Sequence, residues 1–400
     1  MNSVELNNQK KSSTFEFGYS GIFTELEELA KTHSSFLHLS NCDPPLYGYQ
    51  LDSTILERID RLSFSKFSPY PTWNGDKELR QALAQRIQSM CNVNLPPSRI
   101  VLTYGVSEGF PLAFDTLFHL RSGSVAIPDP SYIPLIVQAQ RFGKIWFYHC
   151  IESDAWNPDL DQLVDSLEKH PDTQAIVIIT PNSPTGAIYP EKVLRELINI
   201  AGQFNLIVIT DEIYDSLSFI NFFSPLQFAS EVPVIYLNGF SKVYRLPGYR
   251  LGYLGWHDPS EKMPGFWDRL VHLCKGRLGV TSFAQEIAKL ALQEPPETLK
   301  AYAEDLHKKH LFLTRHLEEV EGISAIPANG GTYVFPKLNL NIKDEELARY
   351  LIKHHAIFVT PGSAYGPIVS PGHLRFVTLE SNDSLLRGVQ ALEESLKRLG

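Results

Sequence analysis

From about residue 98 the chain alternates between short apolar runs and longer stretches with helical spacing. Runs rich in Val and Ile occur at 100–103 (IVLT), 124–127 (SVAI), 145–149 (IWFYH), 175–180 (AIVIIT), 206–210 (LIVIT), 233–237 (PVIYL) and 251–255 (LGYLG). Helical patterns at 106–120, 159–169 and 190–204 separate several of them. Continuous apolar runs of this length suit strands buried on both faces. Their alternation with helices predicts a mostly parallel sheet with helices on either side. Such sheets bind ligands beyond the C-terminal ends of their strands, so the loops after these runs are where chemistry is to be sought.

The pattern changes on either side of this region. Residues 22–33 have helical spacing of Ile22, Leu26 and Leu29, and 35–50 read as loop, with Pro44, Pro45 and Gly48 as breakers. Beyond 258, residues 259–275 and 283–319 read as helical. GGTYVFPKL follows, then a helix near 343–354, the strand-like AIFVTPG and HLRFVTL, and a last helix at 382–399. That is a smaller α+β unit. Residues 1–15, rich in Asn, Gln, Lys and Ser, predict an N-terminal arm with little to bury.

Composition narrows the class. The 400 residues are 43% apolar and 20% charged, as in an ordinary globular chain of two to three domains. Lys and Arg number 36 against 45 Asp and Glu, a net charge of −9, which disfavours a nucleic-acid partner. No apolar run approaches the ~20 residues of a membrane span, and the polar N-terminus has no secretion signal. Cys42, Cys91, Cys150 and Cys274 are far apart and form no metal-binding spacing. The expectation is a cytoplasmic protein with no metal site and no membrane partner.

Four post-strand segments hold candidate chemistry. NGFSKVYRLPGYRLGY carries Ser241, Lys242 and Arg250 in aromatic, Gly-rich surroundings. Desolvation and a neighbouring like charge favour the neutral amine that a Schiff-base lysine needs, and an Arg can hold a phosphate bidentately. The alternative is a solvated loop with surface charges. NLIVITDEIY places Asp211 and Tyr214 just past a buried strand; the carboxylate there is either a helix N-cap or the partner of a pyridinium nitrogen. IVLTYGVSEGF offers the backbone of Gly105, Val106 and Ser107 at a helix start, for an anion or merely for capping. ITPNSPTGAIYP has turn chemistry, and HLRFVTL sets Arg375 among apolar residues, as a clamp for a carboxylate if it faces a cleft.

Together, and in this order, these segments resemble the class I/II aminotransferases, the fold-type-I enzymes dependent on pyridoxal 5'-phosphate (PLP). The resemblance runs from about residue 22 to the C-terminus and is closest to the alanine/glutamate-type branch. Its most specific piece is the SK…GYRLG segment; TDEIY, PNSPTG, YGVSE, DPSY and HLR support it. It implies a large, mostly parallel α/β/α sheet domain over 46–288. A smaller α+β domain would combine 16–45 with 289–400. It implies PLP as cofactor, amino acids and 2-oxo acids as substrates, and a homodimer.

Residue by residue, the resemblance gives Lys242 the covalent link to the cofactor and the proton transfers at the substrate Cα. Asp211 would pair with the pyridine nitrogen, Tyr214 donate to the phenolic oxygen and Tyr132 stack on the ring. Arg250, Gly105, Val106 and Ser107 would bind the phosphate, with Ser241 assisting. Tyr70, five residues before Gly75, would reach the phosphate of the other subunit. Arg375 would hold the α-carboxylate. Arg277, eight residues before Gln285, would read a distal carboxylate or join a salt bridge at the dimer interface. Two positions depart from the family pattern. Ser183 stands where Asn usually precedes Pro-Thr-Gly, with Asn182 one residue early. Cys42 stands where a Gly usually meets the substrate carboxylate. The implied reaction moves an α-amino group between an L-amino acid and a 2-oxo acid by a ping-pong route. Glutamate and 2-oxoglutarate would be one pair, with an alanine-like partner. The departures keep open a C–S β-lyase or an oxidative deaminase. A PLP-binding regulator would need a DNA-binding segment, for which the 15-residue arm is too short.

Overall fold

The computed structural model describes residues 19–399, so the expected arm at 1–15 lies outside the described residues. An eight-stranded sheet dominates. In spatial order its strands are Ile100–Thr103, Gly252–His257, Val234–Gly239, Ile207–Asp211, Thr173–Ile179, Ser124–Asp129, Lys144–Ile151 and Asn157–Pro158. All seven apolar runs are therefore strands, and the eighth is a two-residue edge piece. Neighbours from Val234–Gly239 across to Lys144–Ile151 run parallel. Gly252–His257 is antiparallel to both of its neighbours. Residues of the inner strands are buried on both faces, as the unbroken apolar runs require. Helices Val106–Leu120 and Leu160–Lys169 and Glu191–Gln203 fall where the spacing places them.

Register brings the loops together. Ile179 pairs with Asp211, Asp211 with Leu237, and Gly239 with Gly252, which in turn pairs with Thr103. The C-terminal ends of four strands thus meet the start of Gly252–His257 at one edge of the sheet. The segments carrying Ser183, Asp211, Lys242, Arg250 and Gly105 all emerge there.

The second unit has its own core. Helix Tyr19–Lys31 contacts helix Asp344–His355, and Leu37–His38 pairs in parallel with Ile357–Phe358. Ile22, Leu26 and Leu39 share an apolar cluster with Leu313, Leu347, Phe376 and Leu392. A three-stranded sheet of Tyr333–Val334, Leu374–Val377 and Thr360–Pro361 lies beside it.

Several details differ from the sequence reading, among them strand Leu37–His38 inside the stretch read as loop. The stretch 259–275 becomes helix only at Phe266–Gly276, because Pro259 and Pro264 interrupt its first half. The stretch 283–319 is two helices, Ser282–Ala291 and Pro296–Glu318, divided at Pro295-Pro296. Helix Lys77–Cys91 was not anticipated; Asp76 caps it, and Leu79, Leu83, Ile87 and Cys91 form its buried stripe at four-residue spacing. Among the described residues no helix is long and apolar enough to cross a membrane.

Candidate active site

A cavity of about 390 Å³ opens at the edge where the strand ends converge. Its walls include Cys42, Val106, Ser107, Tyr132, Ser183, Asp211, Tyr214, Ser241, Lys242, Arg250 and Arg375. Segments more than 330 residues apart in sequence meet here. Gly105 lies directly behind Arg250: a Cβ on it would come within 2.8 Å of the Arg250 guanidinium.

Asp211 ends its strand with its side chain almost wholly buried, accepting the Ile213 N–H at 3.1 Å. Burial raises its pKa to about 7, against the pull of that N–H. A buried carboxylate with so little compensation fits a protonated ring nitrogen. Four residues on, Asp215 receives Arg86 at 2.8 Å and the Asn238 amide at 2.7 Å. This buried pair pins the turn that aims Tyr214 into the cavity.

The opposite wall suits an anion. Gly105 has φ +73° and opens helix Val106–Leu120, leaving the first N–H groups without a side-chain cap. A Cβ on Gly252 would lie 2.7 Å from the Gly105 carbonyl carbon and 2.8 Å from the Val106 nitrogen. Glycine at both positions lets the turn close against the strand, with Arg250 and Ser107 beside it. Helix N-terminus, guanidinium and hydroxyl make a phosphate cradle.

Lys242 lies between these walls, its amine donating to the Cys42 carbonyl at 2.6 Å. Arg375 faces it from the second unit. Its guanidinium donates to the Ser40 carbonyl at 2.7 Å and lies over the rings of Tyr333 and Tyr365, at 4.8 and 5.2 Å. Its Nε is buried and unpartnered, as is the Ser183 hydroxyl. Buried donors left open in a cavity wall suit a ligand that supplies acceptors. The residues present therefore fit PLP and an amino-acid carboxylate.

Other expected site residues lie elsewhere. Asn182 is buried outside the cavity wall. Its amide donates to the Pro130 carbonyl, and its oxygen accepts from Thr185 at 2.9 Å, so here it holds the turn. Tyr70 is 86% exposed and outside the cavity of its own chain. Arg277 is also outside it. Its guanidinium pairs with Glu108 and the Leu102 carbonyl, tying the chain after helix Phe266–Gly276 to the start of Val106–Leu120. This ion pair lies within one chain and is not the expected bridge across a dimer interface.

Sequence reading missed Phe23, Tyr333 and Tyr365, which also line the cavity, and Thr332 behind Cys42. The Gly330-Gly331 pair was the available signal. Gly331 has φ +74°, and a Cβ on Gly330 would meet the Leu217 carbonyl oxygen at 2.8 Å. Such a close approach presses the next residues, Thr332 and Tyr333, against the large unit.

Comparison with known proteins agrees with this geometry. A family model described as aminotransferase class I and II matches residues 36–392. The glutamate-pyruvate aminotransferase AlaA of Escherichia coli (strain K12) is 30% identical over 377 residues, covering 91% of each chain. The alanine aminotransferase of Mycobacterium tuberculosis is 28% identical over 369 residues, 89% of this chain and 84% of its own. The structure of an alanine aminotransferase from Pyrococcus furiosus superposes with a TM-score of 0.90 at 30% identity, covering 97% of this chain and all of that one. The chain belongs to the class I and II aminotransferases, a family of PLP-dependent, fold-type-I enzymes.

Proposed function

We propose that this aminotransferase exchanges the α-amino group between a neutral, alanine-like L-amino acid and the glutamate/2-oxoglutarate pair by a ping-pong route. The observation that carries it is the placing of Arg375 opposite Lys242 in one cavity with Asp211 and the phosphate cradle. The names of the two relatives above supply the pair. PLP, when bound, stabilises the negative charge left on the substrate Cα.

In this reading Arg375 binds the α-carboxylate and turns the Cα–H towards Lys242, whose amine removes and returns that proton. Asp211 keeps a proton on the ring nitrogen. Gly105, Val106, Ser107, Ser241 and Arg250 hold the phosphate, Tyr132 covers the ring, and Tyr214 donates to its phenolic oxygen. Phe23, Ile133 and Pro134 give the remaining wall an apolar character suited to a small neutral side chain. Residues 46–288 would form the cofactor-holding domain, with 16–45 and 289–400 as the substrate-clamping one. The working form would be a cytoplasmic homodimer in which Tyr70 reaches the neighbouring cavity.

The test is a half-reaction screen. Purified enzyme is mixed with single amino acids while the visible band of the bound cofactor is followed. Alanine and glutamate should each convert the band, and pyruvate and 2-oxoglutarate should restore it. Release of pyruvate from cysteine derivatives without an acceptor would indicate a β-lyase instead. Borohydride treatment should fix the cofactor to the peptide containing Lys242. Lys242→Ala should lose multiple turnover, and label on another lysine would refute the assignment.

A further inference from the structure

The Cys42 thiol sits inside a chain of four hydrogen-bonding groups. It lies 3.0 Å from the Thr332 hydroxyl and 3.2 Å from the Tyr214 hydroxyl, and Tyr214 lies 2.5 Å from the Tyr333 hydroxyl. The same cavity wall holds the buried, unpartnered Ser183 hydroxyl, in the place where the family pattern implied by the resemblance has an amide donor. A second donor to a ligand in this wall thus matters more here than where an Asn is present.

Protons can be counted along the chain. Four neutral groups bring four protons to three hydrogen bonds, so one is left over. When Thr332 donates to sulfur, and the thiol and Tyr333 both donate to the Tyr214 oxygen, the spare proton is that of Tyr214 and points into the cavity. Remove the thiol proton, and three protons serve three bonds. Tyr333 then donates to Tyr214, Tyr214 and Thr332 both donate to the thiolate, and none is left for a ligand.

We propose that Cys42 is a positioning residue whose protonation state decides whether Tyr214 donates to the phenolic oxygen of PLP or to the Cys42 sulfur. The proposal rests on the cofactor assignment made above. Several charged or titratable groups face the thiol from the elements around it. Lys242 follows strand Val234–Gly239, Tyr214 follows Ile207–Asp211, and Tyr333 and Arg375 lie on the second unit's sheet. Tyr302 lies on helix Pro296–Glu318, and Tyr47 on the turn Pro44–Tyr47. Enclosure raises the thiol's pKa, but the Lys242 charge and the bonds from Thr332 and Tyr214 outweigh it and bring it down to about 7. Burial and the nearby sulfur push Tyr214 upward, so it keeps its own proton throughout. Donation to the ligand is therefore present below about pH 7 and lost above it.

The test measures retention of bound cofactor by equilibrium dialysis between pH 6 and 9, for the holoenzyme and for Cys42→Ser and Cys42→Ala. In the wild type, affinity should fall about tenfold through a step centred near pH 7, as expected for one hydrogen bond to a charged oxygen. Neither variant can form a thiolate, so both should lack the step. In parallel, the rate of iodoacetamide labelling of Cys42 in the wild type should rise with the same midpoint. Lys242→Ala should move that midpoint to higher pH. The other three cysteines are buried, and peptide mapping identifies the labelled one. A step that persists in both variants, or labelling with the midpoint of an ordinary thiol, overturns the proposal. A wild type that never retains PLP would instead overturn the cofactor reading, while the labelling arm still reports on the Cys42 network.

Discussion

At the scale of single residues, Ser183 shows what a short side chain leaves undone. Its hydroxyl is buried in the cavity wall without a partner, and its neighbour Asn182 is occupied by Pro130 and Thr185. An amide at 183 would reach further into the cavity and donate to the cofactor's phenolic oxygen. Donation to that oxygen favours its charged form. The visible band of the bound cofactor should therefore titrate at lower pH in Ser183→Asn than in the wild type, as measured spectrophotometrically. Superimposable curves would refute a role for this position in tuning the cofactor. The departure at 183 was legible because the flanking Pro-Thr-Gly fixes the register of the comparison. The consequence of Cys42 was not, because its partner Thr332 is 290 residues away and no local pattern announces the contact.

At the scale of elements, the site depends on what ends each strand. Apolar runs such as AIVIIT and LIVIT made the strands readable, and the loops that follow them carry Ser183, Asp211 and Lys242. The elements that could not be read are those whose pattern is shared. Helix Lys77–Cys91 hides its apolar stripe among charged residues, and Pro295-Pro296 divides what looked like one helix. Nor could the direction of Arg277 be read, since its guanidinium is claimed by Glu108 on a distant helix. The turn at Gly105 gives a direct test of the phosphate cradle. An alanine there must hold φ +73° and ψ 173°, which costs about 1–3 kcal/mol, and its Cβ would displace the Arg250 guanidinium. Gly105→Ala should lower stability to denaturant by about that amount and also weaken cofactor retention. Gly248→Ala, with nothing within 4 Å of its Cβ, should change neither. If Gly105→Ala lost stability but retained the cofactor as the wild type does, the turn would be structural only.

At the scale of the whole molecule, the cavity of a single chain has Lys242, Asp211 and Arg375 but not Tyr70, which stands exposed. Phe64 and Leu278 are also exposed, at 74% and 60%. Large apolar side chains left open in this way suit coverage by a second copy of the chain. A two-fold dimer would place the same patch on both partners and send each Tyr70 towards the other's phosphate cradle. Mixing two defective chains tests that arrangement. Tyr70→Ala keeps its own Lys242 but offers its partner no tyrosine, whereas Lys242→Ala keeps Tyr70 but has a dead cavity. After unfolding and refolding together in equal amounts, about half of the dimers should be mixed. Each mixed dimer would hold one complete cavity, formed by Lys242 of one chain and Tyr70 of the other. Activity should then rise to about a quarter of wild type, above the average of the two parents refolded separately. If Tyr70 served its own chain, both cavities of the mixed dimer would stay defective and mixing would give no gain.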